Sequence, residues 1–196
     1  MKNRISMTVL LAIAFCITSS SSGQAPQLPQ PGPEFDVFKA DIGSWDVQIK
    51  TWEGGGEPTI STGRETNRML GGFWMLSNFQ ANLMGLNFQG HGMYSYDADA
   101  KKYVGTWIDS MGATKMDLIG TYDSESKTIT YEGTAPGPDG NPSKHVLATK
   151  YRDDGTHTVT MHMQAGDAMF KVFEMEYTKA NAAGAPKPVT QADKQQ

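Results

Sequence analysis

Apolar and polar residues alternate with a period of two along most of this chain, and this pattern constrains the fold more than any other feature. The clearest case is residues 45–51 (WDVQIKT), where the tryptophan, valine and isoleucine share one face and charged or amide residues take the other. Alternation of this kind, rich in aromatic and β-branched residues, indicates half-buried strands rather than helices. The chain is therefore predicted to be all-β.

The same signals recur between short turns rich in Asp, Gly and Ser, such as DADAK at 97–101 and DDG at 153–155. Short connections make neighbouring strands antiparallel. A two-sheet sandwich and a closed barrel both fit, and the barrel is favoured because up-and-down strands can close and leave no edge. We predict an antiparallel up-and-down β-barrel of about ten strands, at 45–51, 59–70, 73–83, 86–97, 103–111, 114–123, 127–135, 144–152, 156–164 and 169–179.

One short helix is expected before the first strand, over residues 34–42. Phe35, Phe38 and Ile42 lie at helical spacing, and Gly43 follows as a natural stop. A helix with a single apolar face at this position is expected to plug one end of the barrel.

The two ends of the chain lack the strand pattern. Lys2 and Arg4 precede an uncharged apolar run at 7–17, which predicts a signal peptide over 1–23, cleaved before Gln24. A Pro- and Gln-rich stretch at 24–33 is predicted to be a linker, residues 34–179 the barrel domain and 180–196 a disordered tail. We therefore expect an exported protein, periplasmic or secreted, with no transmembrane segment after signal removal.

Composition narrows the partners and the chemistry. The full chain has net charge −4, and loss of two basic residues with the signal makes the mature protein more acidic. Nucleic-acid binding depends on basic residues that neutralise phosphates, so no nucleic-acid partner is expected. The only cysteine, Cys16, lies in the predicted signal, and bulky Phe15 before it argues against lipid modification. A mature protein without cysteine has no disulfide and no cysteine nucleophile.

The run GSWDV at 43–47 resembles the Gly-x-Trp signature at the first strand of lipocalins and related calycin-type barrels. The resemblance implies that Gly43 and Trp45 form the barrel base, with a basic residue of the last strand, Lys171 or Lys179, packed over the indole. The broader match is to the bacterial family called domain of unknown function 1579, over roughly 33–179. It implies a lipocalin-like barrel but no reaction, and it is carried by LGGFW at 70–74, GMYSYD at 92–97, YVGTWIDSMG at 103–112, GTYD at 120–123 and EMEYTK at 174–179.

No standard catalytic or metal motif is present. His157 and His162 are five residues apart and face opposite sides of one strand, so surface or turn positions are expected for the histidines and no metal site is predicted. Some small ten-stranded barrels bind haem through a histidine, but nothing specific here indicates haem, and no cofactor is predicted. Asp109 shares a face with Tyr103 and Trp107, and if that face is inward it is a weak candidate for acid–base catalysis.

The remaining signal is an interior rich in aromatic residues and methionine. Small barrels either fill with side chains or hold one small ligand. We favour a binding protein for a small, largely apolar ligand, because Gly90, Gly92, Gly120 and Gly133 fall on inward faces and would leave volume unfilled. An enzyme using Asp109 and a filled structural or interaction barrel remain alternatives. The predicted ligand-binding residues are Phe79, Phe88, Tyr94, Tyr96, Met116, Tyr131, Phe173 and Met175.

Overall fold

The computed structural model describes residues 28–53, 56–83 and 85–180. They form a closed barrel of ten antiparallel strands in the order β1-β10-β9-β8-β7-β6-β5-β4-β3-β2. The predicted signal peptide and most of the predicted tail lie outside the described residues. The strands are β1 (Gly43–Thr51), β2 (Thr59–Leu70), β3 (Trp74–Leu83), β4 (Leu86–Asp97), β5 (Lys102–Asp109), β6 (Met116–Asp123), β7 (Thr128–Pro136), β8 (Pro142–Tyr151), β9 (His157–Ala165) and β10 (Ala168–Lys179).

This architecture confirms the predicted fold class and the number of strands. Each strand pairs with its neighbours in sequence, and β1 pairs with β10 to close the barrel, with Val47 opposite Tyr177. A register shift interrupts the β9–β10 pairing between Lys171 and Phe173. Because the strands alternate strictly elsewhere, one residue in two faces the interior. The sequence period therefore decides which side chains meet inside.

The short segment before β1 is a 3₁₀ helix, Pro33–Ala40, that lies across one end of the barrel. Its Phe38 is fully buried and packs edge-on against Tyr103 of β5, whose hydroxyl donates to the Glu34 carbonyl at 2.9 Å. The predicted short helix is present, but it runs over Pro33–Ala40 rather than 34–42. Gly43 instead opens β1 with a φ of +121°, which a residue with a side chain rarely adopts.

The two ends of the barrel differ, because the 3₁₀ helix covers only one of them. We call the end covered by the 3₁₀ helix the closed end. The opposite end, where β1 connects to β2, β3 to β4, β5 to β6, β7 to β8 and β9 to β10, is the mouth. Within the described residues no helix is long and apolar enough to cross a membrane.

The inward glycines do not leave empty space, which corrects one expectation from the sequence. They face inward as predicted, but other side chains lie over them: Leu118 and Met116 lie over Gly133, the Trp107 ring covers Gly90 and the Tyr131 ring covers Gly120. A Cβ atom at Gly90 or Gly120 would collide with the ring above it. Glycine at these positions lets large neighbouring side chains lie against the barrel wall, so the glycines themselves leave no pockets.

Candidate functional site

The barrel interior holds a cavity of about 590 Å³. It runs from Phe38 and Asp41 at the closed end to Asp109, Met111 and Pro136 at the mouth. Ligand sites in proteins are typically about 300–1,000 Å³, so this volume suits a small organic molecule. The interior of this barrel is therefore not filled by its own side chains.

The walls of the cavity from its middle to the mouth are mostly apolar, with His145 and Thr149 of β8 as polar exceptions. Phe79 and Phe88 meet edge-on, with ring centroids 5.9 Å apart, and Trp107 lies beside them in the same packed cluster. Flexible methionine side chains of β6, β9 and β10 also line the wall, with Met116 directly beside Trp107 on the neighbouring strand, and such side chains adapt to the shape of a bound molecule. The apolar wall comprises Ile49, Phe79, Leu83, Phe88, Trp107, Met116, Leu147, Val159, Met161, Val172, Phe173 and Met175.

Polar side chains are concentrated at the closed end of the same cavity, and we call this group the cavity floor. Glu65 of β2 lies at its centre and accepts hydrogen bonds from the hydroxyls of Ser77 at 2.8 Å and Tyr177 at 2.7 Å. Burial raises the pKa of the Glu65 carboxyl, although its hydroxyl partners oppose that shift. The floor comprises Asp41, Glu65, Asn67, Ser77, Tyr131, Tyr151, His157 and Tyr177.

Asp41 is the second carboxyl group of the floor. It lies between the 3₁₀ helix and β1, is buried, and accepts a hydrogen bond from the Tyr151 hydroxyl at 2.6 Å. Desolvation raises its pKa to about 7, with the Tyr151 hydrogen bond opposing the shift. His157 lies 3.6 Å away (Nε2 to Oδ1), and desolvation lowers its pKa to about 4. Both groups are therefore largely uncharged near pH 6.

Two polar atoms of the floor have no hydrogen-bond partner among the described residues. They are the Oδ1 atom of Asn67 and the hydroxyl of Tyr131, and both residues are buried, with 3% and 6% exposure. The amide Nδ2 of Asn67 is used, since it donates to the Asp41 carbonyl at 3.2 Å. Buried polar atoms usually find a partner, so two unpaired ones beside a cavity mark a place where a ligand could supply it.

Trp45 and Lys179, which the sequence analysis assigned to the barrel base, pack together below the floor. Trp45 is fully buried, and its Nε1 donates to the Asp41 carbonyl at 2.6 Å. Lys179 of the last strand places its ammonium 3.6 Å from the centre of the indole and donates to the Ile42 carbonyl at 2.8 Å. The alternative basic residue, Lys171, lies instead over Trp52 at the mouth.

Seven of the eight residues predicted to bind ligand line the cavity. Tyr96 does not: it faces the closed end and packs against Phe35 of the 3₁₀ helix and Tyr103. Its position near the end of β4 places it beyond the floor. The seven that line the cavity are Phe79, Phe88, Tyr94, Met116, Tyr131, Phe173 and Met175.

Asp109 faces inward, but it lies at the mouth rather than in the depth of the barrel. Its carboxylate accepts from Trp107 Nε1 at 3.0 Å and from the Met111 backbone N–H at 2.9 Å. These bonds hold the carboxylate at the end of β5, where it orients the Trp107 ring. The deep carboxyl groups are Glu65 and Asp41, which the sequence analysis did not select.

The histidines correct the sequence prediction in part. His91 is exposed and bonds the Asn78 side chain at 2.7 Å, as expected of a surface residue. His157 and His145 are buried and line the cavity, contrary to prediction. The described residues contain no group of three or more His, Cys, Asp or Glu side chains that could hold a metal ion.

A signal for Glu65 was present in the sequence. One face of β2 carries Arg64 and Arg68, whose charged side chains are expected to face solvent. Glu65 and Asn67 lie on the other face, so they must point inward with Met69. Asp41 could not be found in this way, because it precedes the first strand and no period applies to it.

Comparison with known proteins agrees with the fold. The model of a family described as "Protein of unknown function (DUF1579)" matches residues 30–179. The crystal structure of Rv2717c from M. tuberculosis is similar, with a TM-score of 0.57 and 11% sequence identity over 78% of this chain and 100% of that chain. At that identity the likeness shows the fold alone. No curated protein matches the sequence.

Proposed function

This chain belongs to the DUF1579 family of proteins of unknown function, and from that premise we propose that it binds a small, largely apolar ligand inside its barrel. The observation that carries the proposal is the cavity of about 590 Å³ with its apolar wall. Apolar surface facing an empty or hydrated space is costly in water, and a ligand that covers it gains roughly 25 cal/mol per Å² of apolar area removed from water.

The construction of the wall supports a site for an organic molecule. Aromatic rings lie flat over wall glycines, as Trp107 does over Gly90, which preserves width along the barrel axis. The mouth gives the cavity an entrance, while the 3₁₀ helix covers the other end. Sites of this kind, concave and apolar with a few placed polar groups, are typical of small-molecule binding.

Export is part of the same proposal. The basic start, short apolar run and small residues over 1–23 support a signal peptide. A protein carrying that signal would meet its ligand in the periplasm or outside the cell. We therefore propose an exported carrier or receptor for a small apolar molecule.

The direct test is mass spectrometry of the mature protein purified from its native host, under native and then denaturing conditions. We expect a reproducible small-molecule mass that is lost on denaturation. A second test needs no native ligand: the neutral probe N-phenyl-1-naphthylamine, whose fluorescence rises in apolar sites, is titrated into purified protein. Saturable binding at one site per chain is the expected result.

A matched pair of variants tests whether the probe binds inside the barrel or on its outer surface. Thr149 faces the cavity from β8, whereas its neighbour Ala148 belongs to the opposite face of the same strand. Thr149→Trp places an indole inside the cavity and should weaken probe binding strongly, while Ala148→Trp should leave it intact. If both variants bind equally, or if the native protein neither carries a ligand nor binds the probe, the proposed function is wrong.

A further inference from the structure

We propose that the ligand is an apolar molecule that carries an ammonium group, and that this group binds Glu65 on the cavity floor while the apolar part lies along the wall. This inference rests on the proposed function, because it names the chemical class of the ligand for that same cavity.

The first argument is the separation of polar and apolar residues along the barrel axis. On β3, β4 and β5, from Phe88 and Trp107 near the mouth down to Phe79, the wall is apolar, and β8 adds two polar side chains to it, His145 and Thr149. Most of the hydrogen-bonding side chains lie at the closed end, from Glu65 to Asp41. A molecule that satisfies both regions has an apolar body and a polar group at its deep end.

The second argument is the sign of the charge on the floor. Its two carboxyl groups, Glu65 and Asp41, lack a cationic partner inside the cavity. Among the described residues that line the cavity, Lys115 is the only lysine or arginine, and it lies at the mouth bound to Asp117. Lys179 is near the floor, but its ammonium lies over Trp45 and donates to the Ile42 carbonyl. The floor therefore disfavours a carboxylate or phosphate on the ligand.

The third argument is unused acceptor capacity. An ionised carboxylate has about four acceptor positions, and Glu65 accepts from two hydroxyls, those of Ser77 and Tyr177, with the Asn67 side chain as a further partner that lowers its pKa. Asn67 adds an unpaired Oδ1 atom, which can only accept. The unpaired Tyr131 hydroxyl can accept or donate, so the floor has unfilled acceptor positions at Glu65 and Asn67 and no cation among its side chains. An ammonium group carries three donors and a positive charge, which fits both deficits.

Burial of Glu65 points the same way. Desolvation raises the pKa of its carboxyl group, since the charged form has no nearby cation to offset the loss of water. A bound ammonium would supply that cation in a site shielded from bulk solvent, where a charge-assisted hydrogen bond is stronger than at a surface. Of the floor residues, Glu65 is the one placed to be the primary anchor.

The test uses three ligands of one shape on the wild-type protein: 1-naphthylmethylamine, 1-naphthalenemethanol and 1-naphthoic acid. Each competes with N-phenyl-1-naphthylamine at pH 7.5, and calorimetry measures its affinity directly. We expect the amine to bind about tenfold or more tightly than the acid, the difference of one charge-assisted hydrogen bond, with the alcohol between them. The series needs no variant, so a folding failure cannot obscure it.

Glu65→Gln then tests the anchor, and Glu132→Gln is the matched control. Glu132 is exposed on the outer face of β7, where it pairs with Lys144. Glu65→Gln should reduce the affinity for the amine by about tenfold and leave that for the alcohol nearly unchanged, so the ratio of the two affinities falls. Glu132→Gln should change neither affinity.

The possible results separate this inference from the function on which it rests. If the neutral probe binds inside the barrel and the acid competes as well as the amine, or if none of the three competes, the ammonium site is overturned and the cavity proposal stands. An unchanged amine-to-alcohol ratio in Glu65→Gln also overturns it. If the neutral probe fails to bind and the native protein carries no ligand, both proposals fall together.

Discussion

The closed end and the mouth of this barrel contain similar residues but use them differently. At the closed end, Trp45 is fully buried, donates to a backbone carbonyl and is covered by the Lys179 ammonium. At the mouth, Trp107 is only half-buried and its partner Asp109 lies at the rim. The closed end is a packed and hydrogen-bonded core, whereas the mouth keeps apolar surface available. The closed end thus provides stability and the mouth provides access, at opposite ends of the barrel axis.

Truncation of the two tryptophans should give the largest difference in stability between the two ends. Trp45→Ala removes a fully buried indole and should cost about 4 kcal/mol of unfolding free energy. Trp107→Ala removes a half-buried ring and should cost about half as much. Urea unfolding followed by circular dichroism measures both. Equal losses would mean that the closed end does not dominate the stability of the barrel.

The pH dependence of stability should reveal the Asp41–His157 pair. Asp41 has a raised pKa in the folded protein, about 7 against 3.8, so its contribution to stability is present at low pH and is lost as pH rises from about 4 to 7. His157 has a lowered pKa, about 4 against 6.5, so stability is lost as pH falls from 6.5 to 4. Between pH 4 and 6.5 the two slopes are opposite in sign and nearly cancel.

Removing either Asp41 or His157 should reveal the pH dependence of stability that the other residue causes. Relative to wild type, Asp41→Asn should lose about 3 kcal/mol between pH 6.5 and 4, since each pH unit is worth about 1.4 kcal/mol. His157→Phe, which retains a ring stacked near Tyr177, should instead lose a similar amount as pH rises from 4 to 7. Unfolding curves at several pH values give these differences. Parallel pH profiles for both variants and wild type would contradict the assigned protonation of the pair.

The two lysine–tryptophan contacts offer a smaller test at opposite ends. Lys179→Met removes a cation lying 3.6 Å from the Trp45 ring and a hydrogen bond to Ile42, and should cost about 1–2 kcal/mol. Lys171→Met removes a contact of 5.0 Å to Trp52 and an exposed pair with Glu174, and should cost at most about 0.5 kcal/mol. Thermal and urea unfolding of the pair provide the measurement. A larger loss from Lys171→Met would contradict the ranking of the two ends.

The sequence predicts the strands and their number because period-two alternation and turn residues are local signals. Strand β4 was predicted with the bounds that the structure gives, 86–97. The floor is harder to predict, because Glu65, Asp41 and Tyr151 come from distant parts of the chain and meet only when the barrel closes. His157 was missed because its inward face is recognised only from the apolar Val159 and Met161 that follow it on β9.

Asp109 shows the limit of face assignment. Alternation grouped it with Trp107 on one face, but it left open whether that face is inward and how deep along the axis the residue lies. Depth depends on strand register and on which end the helix covers. Both are properties of the closed barrel, and neither follows from one strand alone.

The smallest expected effect concerns the rim. Phe170 near the start of β10 is 53% exposed, although it is as large as the buried Phe38. Phe170→Ser should change the unfolding free energy by no more than about 0.5 kcal/mol, because little apolar area leaves a packed environment. Phe38→Ser should cost several kcal/mol by the same measurement, about 3 or more. If Phe170→Ser were as damaging, the mouth would be part of the core, and the separation of a stable closed end from an accessible mouth would fail.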